Sequence, residues 1–506
     1  MIPSPPAQSP PLQGVGAPAR AVLLKAYTRA TATVDVEHKN QTLRVLEGSV
    51  PLGLRGVLYR NGPGTMQSFG EQYQHPFDGD GMVTRFSFEA DAVRYTNRFV
   101  QTEERRNEAR AGRMLYRSFG TNLPGGPLRN VGRLAFKNAA NTSVLLEGGT
   151  LLALWEGGLP HALDPITLAT IGPYDYEGRL RNTGSRFERM LSPMLPFSAH
   201  PKRDVDTGEL VNFGTLVGAR PRLVLYGVDC HGTMRAPRFV PLEELSFVHD
   251  FVLTRRYAVF FLPSVAFDLA RTFLGRTTPA GSLRARRANK ASLLLVPRNG
   301  SAPRSFEVNP GFIFHFVNGF ENERGHVVLD ALRMSSLPAA DDIVRFLSGE
   351  PVAIPQAHPT RFVLDTEAGR VTEDQVFDMP AELPSIDPRS VGRPYQTFWS
   401  LAGQVGGHSP FMTRVARLEI ASGARITHDF SPDFPGEPLF VYDPRAGETR
   451  ERGWVLVVVY RAATHRSELI VLDADTLASV CRLELPHHLP PGFHGMWVPS
   501  PSPRSA

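Results

Sequence analysis

Short apolar runs separated by polar turns dominate the chain from about Val57 onward. Thr84–Phe88 alternates polar and apolar positions, and Val93–Phe99 does so more loosely. Val144-Leu145-Leu146 leads through a Gly-Gly turn into Leu151–Trp155. Further strand-like runs fall at Leu223–Tyr226, Ala258–Leu262, Ser292–Val296, His326–Leu329, Trp454–Tyr460 and Leu469–Leu472. Alternation with period two between Gly, Asp or Asn turns is the pattern of antiparallel hairpins. The turns recur as well. Leu163-Asp164-Pro165-Ile166-Thr167-Leu168 parallels Leu472-Asp473-Ala474-Asp475-Thr476-Leu477, and Asp204-Val205-Asp206-Thr207-Gly208 parallels Asp365-Thr366-Glu367-Ala368-Gly369. In each, an Asp can bond its own backbone and a small residue follows. A repeat of strand, Asp turn and strand over so long a chain predicts an all-β protein. At about 45 residues or more per unit it predicts a β-propeller of about seven blades.

One segment departs from this pattern. Leu262–Phe273 puts Leu262, Val265, Ala266, Leu269 and Phe273 on one stripe, with Pro263 suited to a first turn, and predicts a helix. Two readings stand for it: a helix packed on the body of the protein, or one that meets a membrane surface with nearby arginines at the lipid head groups.

Composition narrows the class. The 506 residues are 42% apolar and 21% charged, an ordinary globular balance. The 45 glycines and 44 prolines are spread along the chain, as many short strands require. Two cysteines, Cys230 and Cys481, exclude a disulfide framework and a zinc site built on cysteine pairs, and make a reducing cytoplasm the natural compartment. The net charge of +5 comes almost wholly from arginine; only five residues are lysine. The basic residues are scattered, apart from Arg284, Arg286, Arg287 and Lys290, so nucleic acid is not an expected partner. No apolar stretch reaches the ~18 residues needed to cross a bilayer. Residues 1–20, rich in Pro and Ala, read as a disordered tail, residues 21–500 as a single propeller domain and residues 501–506 as a second tail.

Candidate chemistry lies in the histidines. Four of the fifteen sit in apolar or Gly-rich settings: His200 after Phe197-Ser198-Ala199, His249 in Phe247-Val248-His249-Asp250, His315 in Phe312-Ile313-Phe314-His315, and His494 in Gly492-Phe493-His494-Gly495. Taken singly, each reads as a core histidine. Their spacing resembles whole numbers of blades, and a propeller brings equivalent inner positions to one axis. Four imidazoles meeting there need a partner for their buried nitrogens, and a metal supplies it. The second ring nitrogen of a ligating histidine usually meets a carboxylate. Glu156, Glu382 and Glu437 occupy apolar or turn settings, where each alone reads as a solvated turn residue. Imidazole suits Zn, Cu, Fe or Ni, and nothing in these residue types chooses among them. Asp78-Gly79-Asp80-Gly81 lacks the glutamate of a calcium loop and reads as a tight turn.

The joint order of these elements resembles the carotenoid cleavage oxygenase family from about Leu58 to Pro499. The motifs are Leu58-Tyr59-Arg60-Asn61-Gly62-Pro63-Gly64, His75-Pro76-Phe77-Asp78-Gly79-Asp80-Gly81-Met82, Ala140-Asn141-Thr142, Leu152-Ala153-Leu154-Trp155-Glu156-Gly157-Gly158 and Gly492-Phe493-His494-Gly495. Phe197-Ser198-Ala199-His200-Pro201-Lys202 is most similar to bacterial apocarotenoid oxygenases that release retinal. The resemblance implies a seven-bladed propeller with a dome of loops and short helices over an axial Fe(II), and O2 as co-substrate. It implies His200, His249, His315 and His494 as metal ligands, with Glu156 orienting His249, Glu382 orienting His315 and Glu437 orienting His494. It implies that the Thr142 methyl group shades an open metal position, and that Phe77, Trp155, Phe247 and Phe314 lie along the substrate tunnel.

The implied activity is oxidative scission of one conjugated C=C bond of an apolar polyene to aldehyde fragments. No side-chain acid or base beyond the metal centre is required. The expected setting is the cytoplasm, with peripheral membrane contact through residues 262–273 as the alternative to their packing on the body of the protein. Two rival readings are cleavage of a stilbene-type phenolic olefin, which needs polar groups such as Tyr and Lys in the tunnel, and a non-enzymatic propeller scaffold with structural histidines. A retinoid isomerase is a more distant option. Oligomeric state is not legible.

Overall fold

The computed structural model describes residues 17–500 except 134, 219, 287–289, 349, 351, 407–410 and 448–451. Its strands form seven antiparallel sheets arranged as the blades of a propeller, with two further two-stranded hairpins. From the axis outward, blade I runs Gly495–Pro499, Gly56–Pro63, Gly81–Phe88, Val93–Phe99 and Gln41–Thr42. Blade II is Ser143–Glu147, Thr150–Leu154, His161–Leu163 and Thr170–Pro173, and blade III begins with Lys202–Arg203 and continues through Leu210–Leu216. The inner strands of blades IV, V and VI are Phe251–Leu253, Phe312–Glu321 and Ala381–Ser385. Blade VII opens with Phe434–Pro435 and Leu439–Tyr442, and takes Arg44–Gly48 as its outermost strand. Segments from both ends of the described chain thus complete blades I and VII and close the ring.

Packing explains the patterning. Strands in the middle of a blade are covered on both faces by neighbouring blades, as in Gly453–Arg461, where most side chains are buried. Outer strands such as Arg370–Gln375 are largely exposed. Each boundary between blades holds its own apolar cluster. Leu58 and Phe86 meet Leu456 and Leu469 between I and VII, and Phe213 meets Phe251 and Phe260 between III and IV. Trp399 lies between VI and VII, stacked on Phe440 at 4.2 Å. No backbone hydrogen-bond ladder crosses these boundaries among the described residues. Burial of apolar surface, at roughly 25 cal/mol per Å², is therefore the main force joining blade to blade.

The repeated Asp turns form as expected. Asp164 Oδ1 accepts from the Ile166 and Thr167 N–H groups at 3.1 and 2.6 Å. Asp473 Oδ1 accepts from Asp475 and Thr476 at 3.1 and 2.9 Å. The small residues Gly208 and Gly369 close their turns at φ +72° and +68°.

Loops and short helices, including Glu103–Ala111, Pro127–Asn130, Leu269–Phe273 and Ala340–Leu347, form the dome. One buried cation ties several of them together. Arg117 is fully buried and donates to the carbonyls of Arg133, Thr272 and Thr277 at 3.1, 2.8 and 2.7 Å and to Asn122 Oδ1 at 2.9 Å. Its planar fork suits several fixed acceptors at once.

Three expectations need correction or restatement. The helix expected over 262–273 is shorter: Leu262 ends a blade IV strand, Val265–Phe267 pairs with Leu283–Ala285 as a hairpin, and only Leu269–Phe273 is helical. Asp268 sets that start, its carboxylate accepting from Arg271 N–H at 3.3 Å. The helix Ala17–Ala30 begins inside the stretch read as a tail, packing Ala26 and Ala30 against Phe346, Phe411 and Phe434; residues 1–16 and 501–506 lie outside the described residues. The basic cluster is no free patch. Arg284 and Arg286 pair with Glu244 and Lys290 pairs with Glu307, while Arg287 lies outside the described residues. Both cysteines are free, Cys230 exposed and Cys481 buried.

Candidate metal centre

All seven blades send a polar group to the axis. His494 immediately precedes the inner strand of blade I, Thr142 that of blade II, and His249 stands two residues before that of blade IV. His200 stands two residues before Lys202–Arg203 of blade III, and His315 lies within Phe312–Glu321 of blade V. Glu382 comes from blade VI, Glu437 from blade VII, and Glu156 follows the second strand of blade II. Two of these positions are bulged. The pairing of Phe312–Glu321 slips between Ile313 and Phe316, and that of Ala381–Ser385 slips between Glu382 and Ser385. A bulge re-aims a side chain that a regular strand would point elsewhere.

The four imidazoles converge, with one ligand nitrogen of each lying within 4.8 Å of all the others. His200 Nε2 and His249 Nε2 are 2.9 Å apart, and His315 Nε2 and His494 Nε2 are 3.1 Å apart. The second pair is diagnostic. His315 Nδ1 meets Glu382 Oε2 at 2.5 Å and His494 Nδ1 meets Glu437 Oε1 at 2.8 Å. In the neutral ring each Nδ1 then carries the proton, which leaves a bare lone pair on each Nε2. Two lone pairs facing each other at 3.1 Å are repulsive unless a cation lies between them. At metal–nitrogen distances of about 2.1 Å, ligands at right angles stand about 3.0 Å apart and tetrahedral ones about 3.4 Å. The two short edges, at 2.9 and 3.1 Å, lie nearer the right-angled value. The residues fit a non-haem metal ion.

Electrostatics agree. Burial and the neighbouring imidazoles hold His200 and His249 well below the usual histidine range, so both are neutral and able to bind a metal. Burial lowers His494 too, partly offset by Glu437. At His315 burial is outweighed by Glu382, and the ring is shifted upward. Burial pushes Glu437 up, but Arg60 and His494 together carry it below the usual carboxyl range. Glu156 differs: burial pushes it up to about 8, opposed by the Ser198 hydroxyl. Its Oε1 lies 3.5 Å from His249 Nδ1, and both atoms lack a hydrogen-bond partner. They sit a few tenths of an ångström beyond a good bond. A cation on His249 Nε2 would favour the Nδ1–H tautomer that closes it.

The N-terminal motifs brace this site. Asn61 N–H donates to the His494 carbonyl at 2.9 Å, and its Nδ2 donates to the Ala140 and Ser143 carbonyls at 2.9 Å each. The Thr142 carbonyl accepts from His494 N–H at 3.1 Å, and the Thr142 hydroxyl turns to Asn141 Oδ1. Asn141 Nδ2 holds the Phe77 and Gly79 carbonyls at 2.9 and 2.7 Å. The Asp-Gly-Asp-Gly segment serves close packing: a Cβ on Gly79 would meet the Thr65 carbonyl oxygen at 2.0 Å, and one on Gly81 the Ala140 carbonyl oxygen at 2.2 Å.

A cavity of about 140 Å³ lies under the dome, walled by Phe77, Phe119, Phe247, Phe314, Leu283 and Ile343. Its walls reach the imidazoles. The Phe314 ring stands 5.4 Å from that of His249, and Phe77 stands 5.5 Å from Phe493, next to His494. Of the aromatic residues singled out for a tunnel, Phe77, Phe247 and Phe314 line this cavity. Trp155 is outside its lining and packs against Gly157 and Gly158 beside Glu156. Sequence reasoning missed Phe119 and His75. His75 is a polar member of the wall, kept neutral by burial with a pKa of about 4, its Nδ1 accepting from Phe77 N–H at 3.2 Å. It sits within a quoted motif, but only the structure turns it inward. Arg60, which bonds Glu437 at 2.5 Å, and Asp250 were also missed as parts of the site.

Comparison with known proteins agrees with this architecture. The profile of the retinal pigment epithelial membrane protein family matches residues 31–499. The chain is 36% identical over 465 residues to the apocarotenoid-15,15'-oxygenase of Synechocystis, covering 90% of this chain and 92% of that protein. It is 29% identical to the resveratrol cleavage oxygenase 1 of Aspergillus fumigatus, covering 89% and 91%. The structure of cobalt-substituted Synechocystis apocarotenoid oxygenase superposes with a TM-score of 0.87 at 33% identity, covering 94% of this chain and 99% of that one. The propeller, the histidine cage and these matches together place the chain in the retinal pigment epithelial membrane protein family, the carotenoid cleavage oxygenases.

Proposed function

We propose that this protein is an iron(II)-dependent dioxygenase that cleaves one C=C bond of an apocarotenoid-type polyene. The observation that carries the reading is a cage of four converging imidazoles beside an aromatic cavity whose Phe314 wall stands 5.4 Å from the His249 ring. His200, His249, His315 and His494 would hold the ion, and Glu156, Glu382 and Glu437 would fix the tautomers of His249, His315 and His494. The ion's contribution is to bind and activate O2, which favours a redox-active metal over zinc among those imidazole suits. The double bond breaks and each of its carbons takes one oxygen atom of O2, so no external reductant is needed. The chain's own share is placement. Phe77, Phe247 and Phe314 would hold an apolar ligand away from water, and the Thr142 methyl group, its hydroxyl turned to Asn141, would shade one side of the bound ion.

A stilbene-type substrate is the weaker reading. Its phenol would need a polar partner in the cavity, and the walls offer His75 among phenylalanines and aliphatic groups. The deciding experiment offers iron-loaded protein an apocarotenal and a hydroxystilbene under 18O2. Two labelled carbonyl fragments from the apocarotenal alone are expected. Cleavage of the stilbene alone would overturn the assignment.

The substrate reading bears on where the protein works. No described helix is long and apolar enough to cross a membrane. The dome does expose Leu128, Val131, Phe273 and Leu274, brought together where Gly132 N–H donates to the Phe273 carbonyl at 2.9 Å. Arg129, Arg133, Arg271 and Arg276 flank them in sequence. This patch suits shallow insertion into a bilayer holding the polyene, and replaces the longer helix first expected to do so. Leu128→Asp with Phe273→Asp is expected to abolish co-sedimentation with anionic vesicles while leaving cleavage of detergent-dispersed substrate intact. Unchanged sedimentation would remove the patch from this role.

A further inference from the structure

Three of the four histidines share a neighbour outside the glutamate set. Asp250 directly follows His249, at the head of the blade IV inner strand, and is 4% exposed. Its Oδ2 accepts from Phe316 N–H of blade V at 2.9 Å, one residue beyond His315. Its Oδ1 accepts from its own neighbour Phe251 N–H at 2.8 Å and pairs with Lys202 Nζ of blade III at 2.9 Å, two residues beyond His200. Oδ1 also lies 4.0 Å from His200 Nδ1. Phe316 marks a break in the pairing of its strand, with register shifts on both sides. Such a bulge leaves backbone groups that need another partner, and the Asp250 carboxylate supplies one.

We propose that Asp250 is a positioning residue of the metal centre. Its carboxylate, anchored by Lys202, holds the segments bearing His200, His249 and His315 in register across two blade boundaries. Other polar links cross these boundaries at the turns, such as Arg298 with Asp204 at 2.6 Å and Thr254 with Glu321 at 2.8 Å, but Asp250 is bonded to residues adjacent to the imidazoles. A carboxylate bonded to fixed N–H groups on both sides sets the register there. His494 stands outside this clamp and is held separately by Glu437, Asn61 and Thr142. The inference rests on reading the four histidines as metal ligands.

The test uses full-length apoprotein and Co2+ alone as the probe, read by its visible absorption and by titration. Asp250→Asn offers one oxygen where two are used, and turns an NH2 toward either Phe316 N–H or the Phe251 and Lys202 donors. It is expected to weaken Co2+ binding about 10- to 100-fold, the usual effect of losing a group that orients metal ligands, and to alter the Co2+ spectrum. Asp330→Asn is the control. Asp330 is equally buried, at 3% exposed, and bonds Arg361 and Tyr395 away from the cage. It should leave affinity and spectrum unchanged. Lys202→Met, at a side chain 26% exposed, keeps both backbone bonds and should weaken binding less than Asp250→Asn, yet measurably. It decides the matter if Asp250→Asn does not fold. Parental affinity and spectrum in Asp250→Asn, or in Lys202→Met where it must stand in, overturn the proposal, as does an equal loss in Asp330→Asn. A parent protein that binds no Co2+ overturns the metal reading itself.

Discussion

His315→Ala is expected to yield a folded protein that retains almost no metal and does not turn over. The imidazole is buried, contributes one of the four converging nitrogens and sits opposite His494 Nε2 at 3.1 Å. Its removal leaves three ligands and strands the Glu382 carboxylate that met Nδ1 at 2.5 Å. The fold should survive, because the blade V strand is held by its ladder to Val327–Met334 and by the apolar cluster it shares with blade IV. Turnover is expected to fall at least about a thousand-fold, equivalent to roughly 4 kcal/mol in the barrier. Elemental analysis beside a cleavage assay checks both parts. Stoichiometric metal with parental turnover would refute the assignment of this ring.

Glu437→Gln is expected to damage stability and metal binding together. Glu437 Oε1 accepts from His494 Nδ1 at 2.8 Å, and Oε2 takes Arg60 at 2.5 Å and Gly495 N–H at 2.9 Å. Arg60 is only 6% exposed, so the substitution leaves a buried guanidinium without its counter-charge. Breaking such a pair costs about 3–5 kcal/mol. The new amide can also donate to His494 Nδ1, which would move the ring proton to Nε2, where the metal should bind. A drop of about 10- to 100-fold in metal affinity follows. The pH dependence has a definite sign. Burial raises the Glu437 carboxyl, but Arg60 and His494 carry it below the ordinary range. Its stabilisation is therefore complete above the pKa of an unfolded glutamate and fades as pH falls toward the lowered folded value. Melting curves at neutral and acid pH, for parent and variant, should show a gap that narrows on acidification. A gap constant with pH would argue against the ion pair as its source.

Glu382→Gln makes an informative companion. Glu382 meets His315 and Leu383 N–H, and among the described residues no buried arginine bonds it. Metal affinity should suffer there with a smaller loss of stability.

Much of the architecture was legible because it is local. The turns at Asp164, Asp204, Asp365 and Asp473 advertise themselves by an acceptor followed by its own N–H donors. The blade strands show because alternation survives in their outer halves. The Leu262–Phe273 stretch misled because its apolar spacing suits a helical stripe, while tertiary pairing with Leu283–Ala285 pulls Val265–Phe267 into a hairpin. The histidines stood out by their settings, and their meeting is a consequence of blade geometry. What could not be read was everything created by contact between distant segments. Arg60 reaches Glu437 across 377 positions, and Asp250 reaches Phe316 across 66. Nothing in either motif names its partner. Bulges are equally silent, since a slipped register at His315 depends on the strand beside it.

The strand Gly56–Pro63 finds its inner partner in Gly495–Pro499, directly after His494. All strands of blades II to VII, and the imidazoles of His200, His249 and His315, precede His494 in the chain, and blade I alone waits for its inner strand. The ring of blades and the cage of imidazoles are thus fastened by one and the same segment.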